Sequence, residues 1–138
     1  MKTVLVGGCF DLLHYGHISF LRAAKAHGDR LVVALESDEN VRKMKGETRP
    51  IHTQEQRKEM LESLSFVDEV VLLPPMSGDR DYYEFVRRTK PSVIAITEGD
   101  SMKAKKTEQA DEVGAVVVII PKIHTPSTSQ LAKLLELE

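Results

Sequence analysis

Five apolar runs rich in β-branched residues recur along the chain, at Thr3 to Val6, Arg30 to Leu35, Val67 to Leu73, Ser92 to Ile96 and Ala115 to Ile120. Each is apolar almost without interruption. A strand with one wet face alternates apolar and polar positions, whereas a strand covered on both faces does not, so these runs predict parallel strands sandwiched between helices. Helical spacing marks the stretches that follow: His17 to His27, Glu39 to Lys45, Thr53 to Leu64, Asp81 to Thr89, Lys105 to Val113 and Thr128 to Leu135. These are the crossovers that parallel pairing requires. Thr53 with Gln56 forms a capping-box pattern ahead of Met60 and Leu64, and Gly28-Asp29 closes the first helix. The class predicted is α/β, an open parallel sheet with helices on both faces.

With 138 residues, the chain suits one domain that buries roughly two-thirds of its unfolded surface. The sequence has no repeat or long linker, and Leu73-Pro74-Pro75-Met76-Ser77-Gly78 is its one extended breaker cluster. Lys and Arg number 19 against 21 Asp and Glu, a net charge of -2, and aromatics make up 5%. That balance argues against a nucleic-acid partner, because polyanion binding needs clustered surplus cations and stacking platforms. A lone cysteine, Cys9, excludes an internal disulfide and suits a reducing compartment, so cytoplasm is the default. Met1 to Val6 runs straight into a glycine turn and is too short for a signal core or a membrane span.

In open parallel sheets, ligands collect beyond the carboxyl ends of the strands where the strand order reverses, which directs attention to the loop after the first strand. It reads Gly7-Gly8-Cys9-Phe10-Asp11-Leu12-Leu13-His14-Tyr15-Gly16-His17. Gly7 and Gly8 let backbone approach a ligand, and Gly16 opens space at a helix start where a phosphate could lie. His14 and His17, three apart, share one side of that helix near its positive end and form a paired donor site. A metal pair is the competing reading, but no third ligand stands at suitable spacing. A dinucleotide fingerprint is the other, but G-x-G-x-x-G is absent.

Gly8 to His17 resembles the G-x-F-D-x-x-H-x-G-H signature of the cytidylyltransferase-like nucleotidyltransferases, matching all six specified positions, and the resemblance extends from Val4 to Leu131. It implies a Rossmann-like sheet of strand order 3-2-1-4-5 and a reaction in which an acceptor's phosphate oxygen attacks the α-phosphorus of a nucleoside triphosphate, releasing pyrophosphate. The chemistry suits the residues. A phosphomonoester, with a second pKa of about 6, is mostly dianionic at pH 7 and needs no general base. The site must supply alignment and charge neutralisation, which His14 and His17 can provide as hydrogen-bond donors. By the same resemblance Gly8, Cys9, Phe10 and Gly16 line the nucleotide site, with core filling the alternative for Phe10 and small-residue packing for Cys9. Asp11 and Arg57 fall on the acceptor side, Asp11 reading also as a tether for the loop through backbone N–H groups.

Further segments fit the family. A Ser37-Asp38 pair leads into a cationic stretch in which Lys43 or Lys45 is the phosphate clamp, followed by Arg49-Pro50-Ile51 and Glu55-Gln56-Arg57, matching the family's R-P-x and E-Q-R. A solvated helix face is the plainer reading of the cations, as an ordinary turn is of Gly99-Asp100, which stands where relatives place a nucleotide-pocket Gly-Asp. Ser127-Thr128-Ser129 resembles the S-T-S element that holds β- and γ-phosphates, and also reads as a plain N-cap. Lys122 stands where relatives often carry Arg. His27, His52 and His124 match no catalytic position. Similar domains include glycerol-phosphate cytidylyltransferases, archaeal-type FAD synthases and the adenylyltransferase part of sugar-phosphate enzymes. The reading favours AMP transfer from ATP over CMP transfer from CTP, with a sugar phosphate or FMN as acceptor. A glycerol-3-phosphate cytidylyltransferase and a nucleotide-sensing domain of the same fold are the alternatives. Mg²⁺ is expected to arrive with the triphosphate, since no carboxylate cage for a resident metal is visible, and a homodimer is the family's common assembly.

Overall fold

The computed structural model describes residues 1–123 and 133–134. Strands β1 (Thr3–Gly8), β2 (Arg30–Leu35), β3 (Glu69–Leu72), β4 (Val93–Thr97) and β5 (Val116–Ile120) form one parallel sheet in the order β3-β2-β1-β4-β5. Helices α1 (Tyr15–Lys25), α2 (Asp38–Lys45), α3 (Gln54–Glu62), α4 (Asp79–Thr89) and α5 (Lys103–Val113) connect them. Both the strand order and the parallel pairing agree with expectation.

The uninterrupted apolar runs have their cause in two cores, one on each face of the sheet. Val4, Val6, Leu31, Val33 and Leu35 pack on one face with Leu21, Ala24 and Leu61, while Leu5, Val32, Ala34, Ile94 and Ile96 pack on the other with Phe85, Val86 and Ala110. Successive strand side chains point to opposite faces, so both parities must be apolar. Thr53 and Gln56 form their capping box, Thr53 Oγ1 accepting from Gln56 N and Thr53 N donating to Gln56 Oε1.

Several boundaries move. The third strand is shorter than the apolar run at 67–73, where the Val67 amide is spent on the turn contact to Leu64 O. α1, α4 and α5 each begin two residues earlier than predicted, α1 because His14 caps it. The predicted last helix, Thr128 to Leu135, lies largely outside the described residues, as do Ser127, Thr128, Ser129 and His124.

What positions the site is where the pairing stops. β1 is paired with β2 as far as Gly8 and Leu35, and β4 with β5 as far as Thr97 and Ile120, but β1 and β4 are in register only at Val4–Val93 and Leu5–Ile94. Beyond Leu5 and Ile94 the two central strands part. The sheet therefore splits at its carboxyl edge where the strand order reverses, opening a crevice between Gly7-Gly8 and Ala95-Ile96-Thr97.

Candidate active site

A cavity of about 420 Å³ occupies that crevice. Gly7 to Asp11, Gly16 and His17 form one wall, Ala95 to Thr97 the other, and Lys45, Asp100, Lys106 and Lys122 reach in from around it. A Cβ at Gly8 would stand 2.9 Å from the Phe10 ring, so any larger residue there would displace that ring.

The turn into α1 is tightly specified. Phe10 and Leu12 both adopt left-handed backbone (φ 48° and 55°), unfavourable for residues with a Cβ, and Asp11 between them holds the turn in place. Its carboxylate, 2% exposed, accepts from Arg49 Nε at 2.7 Å, Ile51 N at 2.7 Å and His52 N at 3.0 Å. Burial by itself would raise the Asp11 pKa, but the Ile51, Arg49 and His52 hydrogen bonds outweigh it and hold the group below the usual carboxylate range. Asp11 thus tethers the loop through Arg49 and the Ile51 and His52 amides. Arg57, 1% exposed, donates to Cys9 O (2.8 Å), His52 O (3.0 Å) and Asp38 Oδ1 (2.7 Å). It ties the motif loop to the start of α2.

His14 sits at the N-cap of α1 in extended backbone, its Nδ1 accepting from Gly16 N at 3.0 Å, and His17 Nδ1 accepts from His14 N at 3.3 Å. The two imidazoles thereby form a capping box of their own. Because each Nδ1 is an acceptor, the proton of each neutral ring belongs on Nε2, leaving two Nε2–H donors. The rings lie side by side with centroids 4.0 Å apart, and the Phe10 edge meets His17 at 5.4 Å. Burial, then the neighbouring His14 and the Lys45 ammonium, depress His17 to about 4, and burial also lowers His14. Both rings are neutral at pH 7. The sequence reading anticipated a shared side, but not the reciprocal capping, because imidazole is not among the usual N-cap residues.

The remaining residues divide. Lys45 lines the cavity and its charge acts on both His17 and Cys9, whereas Lys43, exposed on the same last turn of α2, is not part of the lining. Burial raises the Cys9 pKa, and its Sγ lies 3.8 Å from Met44 Sδ, a packing environment rather than that of an activated thiolate. Phe10 is 7% exposed and belongs to the core while its ring borders the cavity. Gly99 turns at φ 82°, placing Asp100 in the lining, where its carboxylate accepts from Met102 N and from Lys106 Nζ, both at 2.7 Å. Lys106 and Arg49 were missed as site residues. The first sits in a helix that the sequence marked only as a crossover, and the partner of the second is 38 positions away.

An open parallel sheet of order 3-2-1-4-5, split at its carboxyl edge beside a histidine-capped first helix, defines a Rossmann-like α/β protein. Residues 5–133 match the cytidylyltransferase-like family, and the chain belongs to that family. It is 38% identical over 136 residues to an FAD synthase from Thermococcus kodakarensis, covering 96% of this chain and 89% of the relative. It is 39% identical over 133 residues to the bifunctional protein HldE of Koribacter versatilis, covering 94% of this chain but only 26% of that longer protein. A lipopolysaccharide core biosynthesis protein from Thermoplasma volcanium shares the fold at a TM-score of 0.73 with 28% identity, covering 91% of this chain and 98% of the other.

Proposed function

We propose that this chain is a nucleotidyltransferase that moves AMP from ATP to a phosphate-bearing acceptor, a sugar phosphate or FMN. The observation that carries the reading is the pair of neutral imidazoles, each with Nδ1 engaged by backbone and Nε2–H left to donate, His17 lining the cavity with Lys45 and His14 packed against His17. An acceptor phosphate oxygen bonds to the α-phosphorus; the bond from that phosphorus to the bridging oxygen breaks, and its electron pair departs with pyrophosphate. No proton need be removed from the nucleophile. Donors fixed in advance and aimed at growing phosphoryl charge are what such a step requires. Lys45 fits a clamp on the triphosphate, and the hydroxyls of Ser127, Thr128 and Ser129 fit the terminal phosphates by family resemblance.

Mg²⁺ belongs to the same proposal. Among the described residues no group of three or more His, Cys, Asp or Glu gathers as a metal site, which suits an ion held chiefly by the triphosphate's own oxygens. When bound it would offset phosphate charge. Among the described residues no helix is long and apolar enough to cross a membrane. A cytoplasmic site of action accords with the free thiol of Cys9, and the exposed Val116 and Ile119 on edge strand β5 would suit the family's homodimer. The test is to incubate the protein with ATP or CTP against FMN, glycerol 3-phosphate and sugar 1-phosphates, reading pyrophosphate. Release with ATP and one acceptor is expected; binding of nucleotide with no release from any pair would favour the sensing domain instead.

A further inference from the structure

A second cavity of about 560 Å³ adjoins the first on the other face of the sheet, beneath α4 and α5. The two share Gly7, Gly8, Cys9, Met44, Ala95 and Lys106, so the glycine turn and the Lys106 side chain border the passage between them. Each space carries carboxylates, Asp100 in the first and Glu36 and Asp79 in the second. Their junction repels phosphate unless a cation stands there.

The cations sort by where they face. Lys45, Arg49 and Lys122 line the first cavity alone, and Arg49 is bound to Asp11 at 2.7 Å. Lys105 lines the second alone and is paired with Asp79 at 3.0 Å. Among the described residues, Lys106 is the one cation that lines both. Its ammonium lies 2.7 Å from Asp100 Oδ2, with the two side chains 28% and 17% exposed. Burial pushes the Glu36 carboxyl up, and the Tyr82 hydrogen bond and then the Lys106 charge oppose that rise, so the same ammonium acts on the buried carboxylate of the second cavity.

Asp100 does not depend on this lysine. Its carboxylate also accepts from Met102 N at 2.7 Å, which closes the turn into α5. A partly exposed ion pair adds little to stability, so an arriving dianion can take the ammonium from Asp100 with small consequence for the fold. The transfer step needs a cation of this kind. His14 and His17 are neutral and donate hydrogen bonds without offsetting net charge, while a phosphate dianion must approach a triphosphate. Lys45 reaches the crevice from the β2 side, and Lys106, on α5, reaches it from the β4 side.

Resting on the nucleotidyl-transfer reading, we propose that Lys106 is a further catalytic residue: its ammonium leaves Asp100 and bridges an oxygen of the attacking phosphate to an oxygen of the α-phosphate. No proton is transferred, and the bonds made and broken are those of the transfer itself. The ammonium supplies charge and N–H donors at the point where two anions converge. Lys106 lies outside the glycine and histidine loop, nearly ninety positions from His17.

Inorganic phosphate stands in for the attacking group, and α,β-methylene ATP with Mg²⁺ fills the nucleotide cavity without reacting. Calorimetry at constant ionic strength should show phosphate binding to that complex in wild type, loss of binding in Lys106→Met and retention in Lys106→Arg. Affinity for α,β-methylene ATP and the melting temperature should be unchanged in both variants, which also reports that they are folded. In turnover, kcat/KM for the acceptor should fall by about 10²-fold in Lys106→Met and stay within about tenfold of wild type in Lys106→Arg. Absence of phosphate binding in wild type would overturn the proposal, as would equal binding in wild type and Lys106→Met. Weakened α,β-methylene ATP with intact phosphate binding would overturn it too, since the lysine would then serve the triphosphate. If no acceptor supports pyrophosphate release, the transfer reading fails by itself, and the phosphate titration still decides whether Lys106 holds an anion at the junction.

Discussion

His17 acts through two atoms, and substitution can separate them. Asn places an amide oxygen near the position of Nδ1 and can keep the contact with His14 N, but it offers nothing where Nε2–H points. His17→Asn should therefore melt within a few degrees of wild type while turnover falls by roughly 10²- to 10³-fold, the scale of losing one preorganised donor. His17→Ala should lose both cap and turnover. Calorimetric melting and pyrophosphate release on the same samples check this. The pH dependence of stability follows from the same ring. The unfolded chain takes up the proton near 6.5 and the folded chain only near 4, so between those values the unfolded state binds more protons. Stability should thus be full above about pH 6.5 and fall as pH drops toward 4, with a slope of at most about 1.4 kcal/mol per pH unit from this group. His17→Asn should flatten that slope in denaturant titrations. His14, lowered by burial, acts in the same direction.

At the level of elements, the β1–α1 turn is held from a distance by two arginines, and their loss should look structural. Asp11→Ala removes the buried carboxylate that pairs with Arg49 and caps the Ile51 and His52 amides, and should cost about 3–5 kcal/mol in chemical denaturation. Arg57→Ala should lower the melting temperature and kcat together, since Cys9 O and His52 O lose their donor. A rise confined to the acceptor's KM would instead support the acceptor role expected from the E-Q-R resemblance. On α2, Lys45→Ala should reduce kcat/KM for ATP by about tenfold or more, and Lys43→Ala should leave it near wild type. Local pattern made the His pair and its helix legible, because i and i+3 positions share a face whatever the rest of the chain does. The arginines' anchoring was illegible for the opposite reason. Their destinations are a carbonyl at Cys9 and a carboxylate at Asp11, tens of positions away, and a cation's local sequence says nothing about which distant group lacks a partner.

Over the whole molecule, the strand runs and the crossovers were readable because burial on both faces leaves its mark at every strand position, whereas the strand order came from the family resemblance. The crevice itself was not. It depends on β1 and β4 ceasing to pair after Leu5 and Ile94, a matter of register between segments nearly ninety residues apart. If the metal comes only with the triphosphate, chelation should abolish turnover without moving the melting temperature of the nucleotide-free protein, and Mg²⁺ should restore it. A shift in melting on chelation would point to a resident ion instead.

The central claim is that two neutral imidazoles donate from Nε2 to the phosphoryl group in transfer. The most direct measurement follows ATP labelled at the α-phosphate, with FMN as acceptor, in wild type and in His17→Asn. The account predicts label in the dinucleotide product of wild type, and a rate lower by roughly 10²- to 10³-fold in a variant that melts like wild type. An undiminished rate in that variant would contradict it.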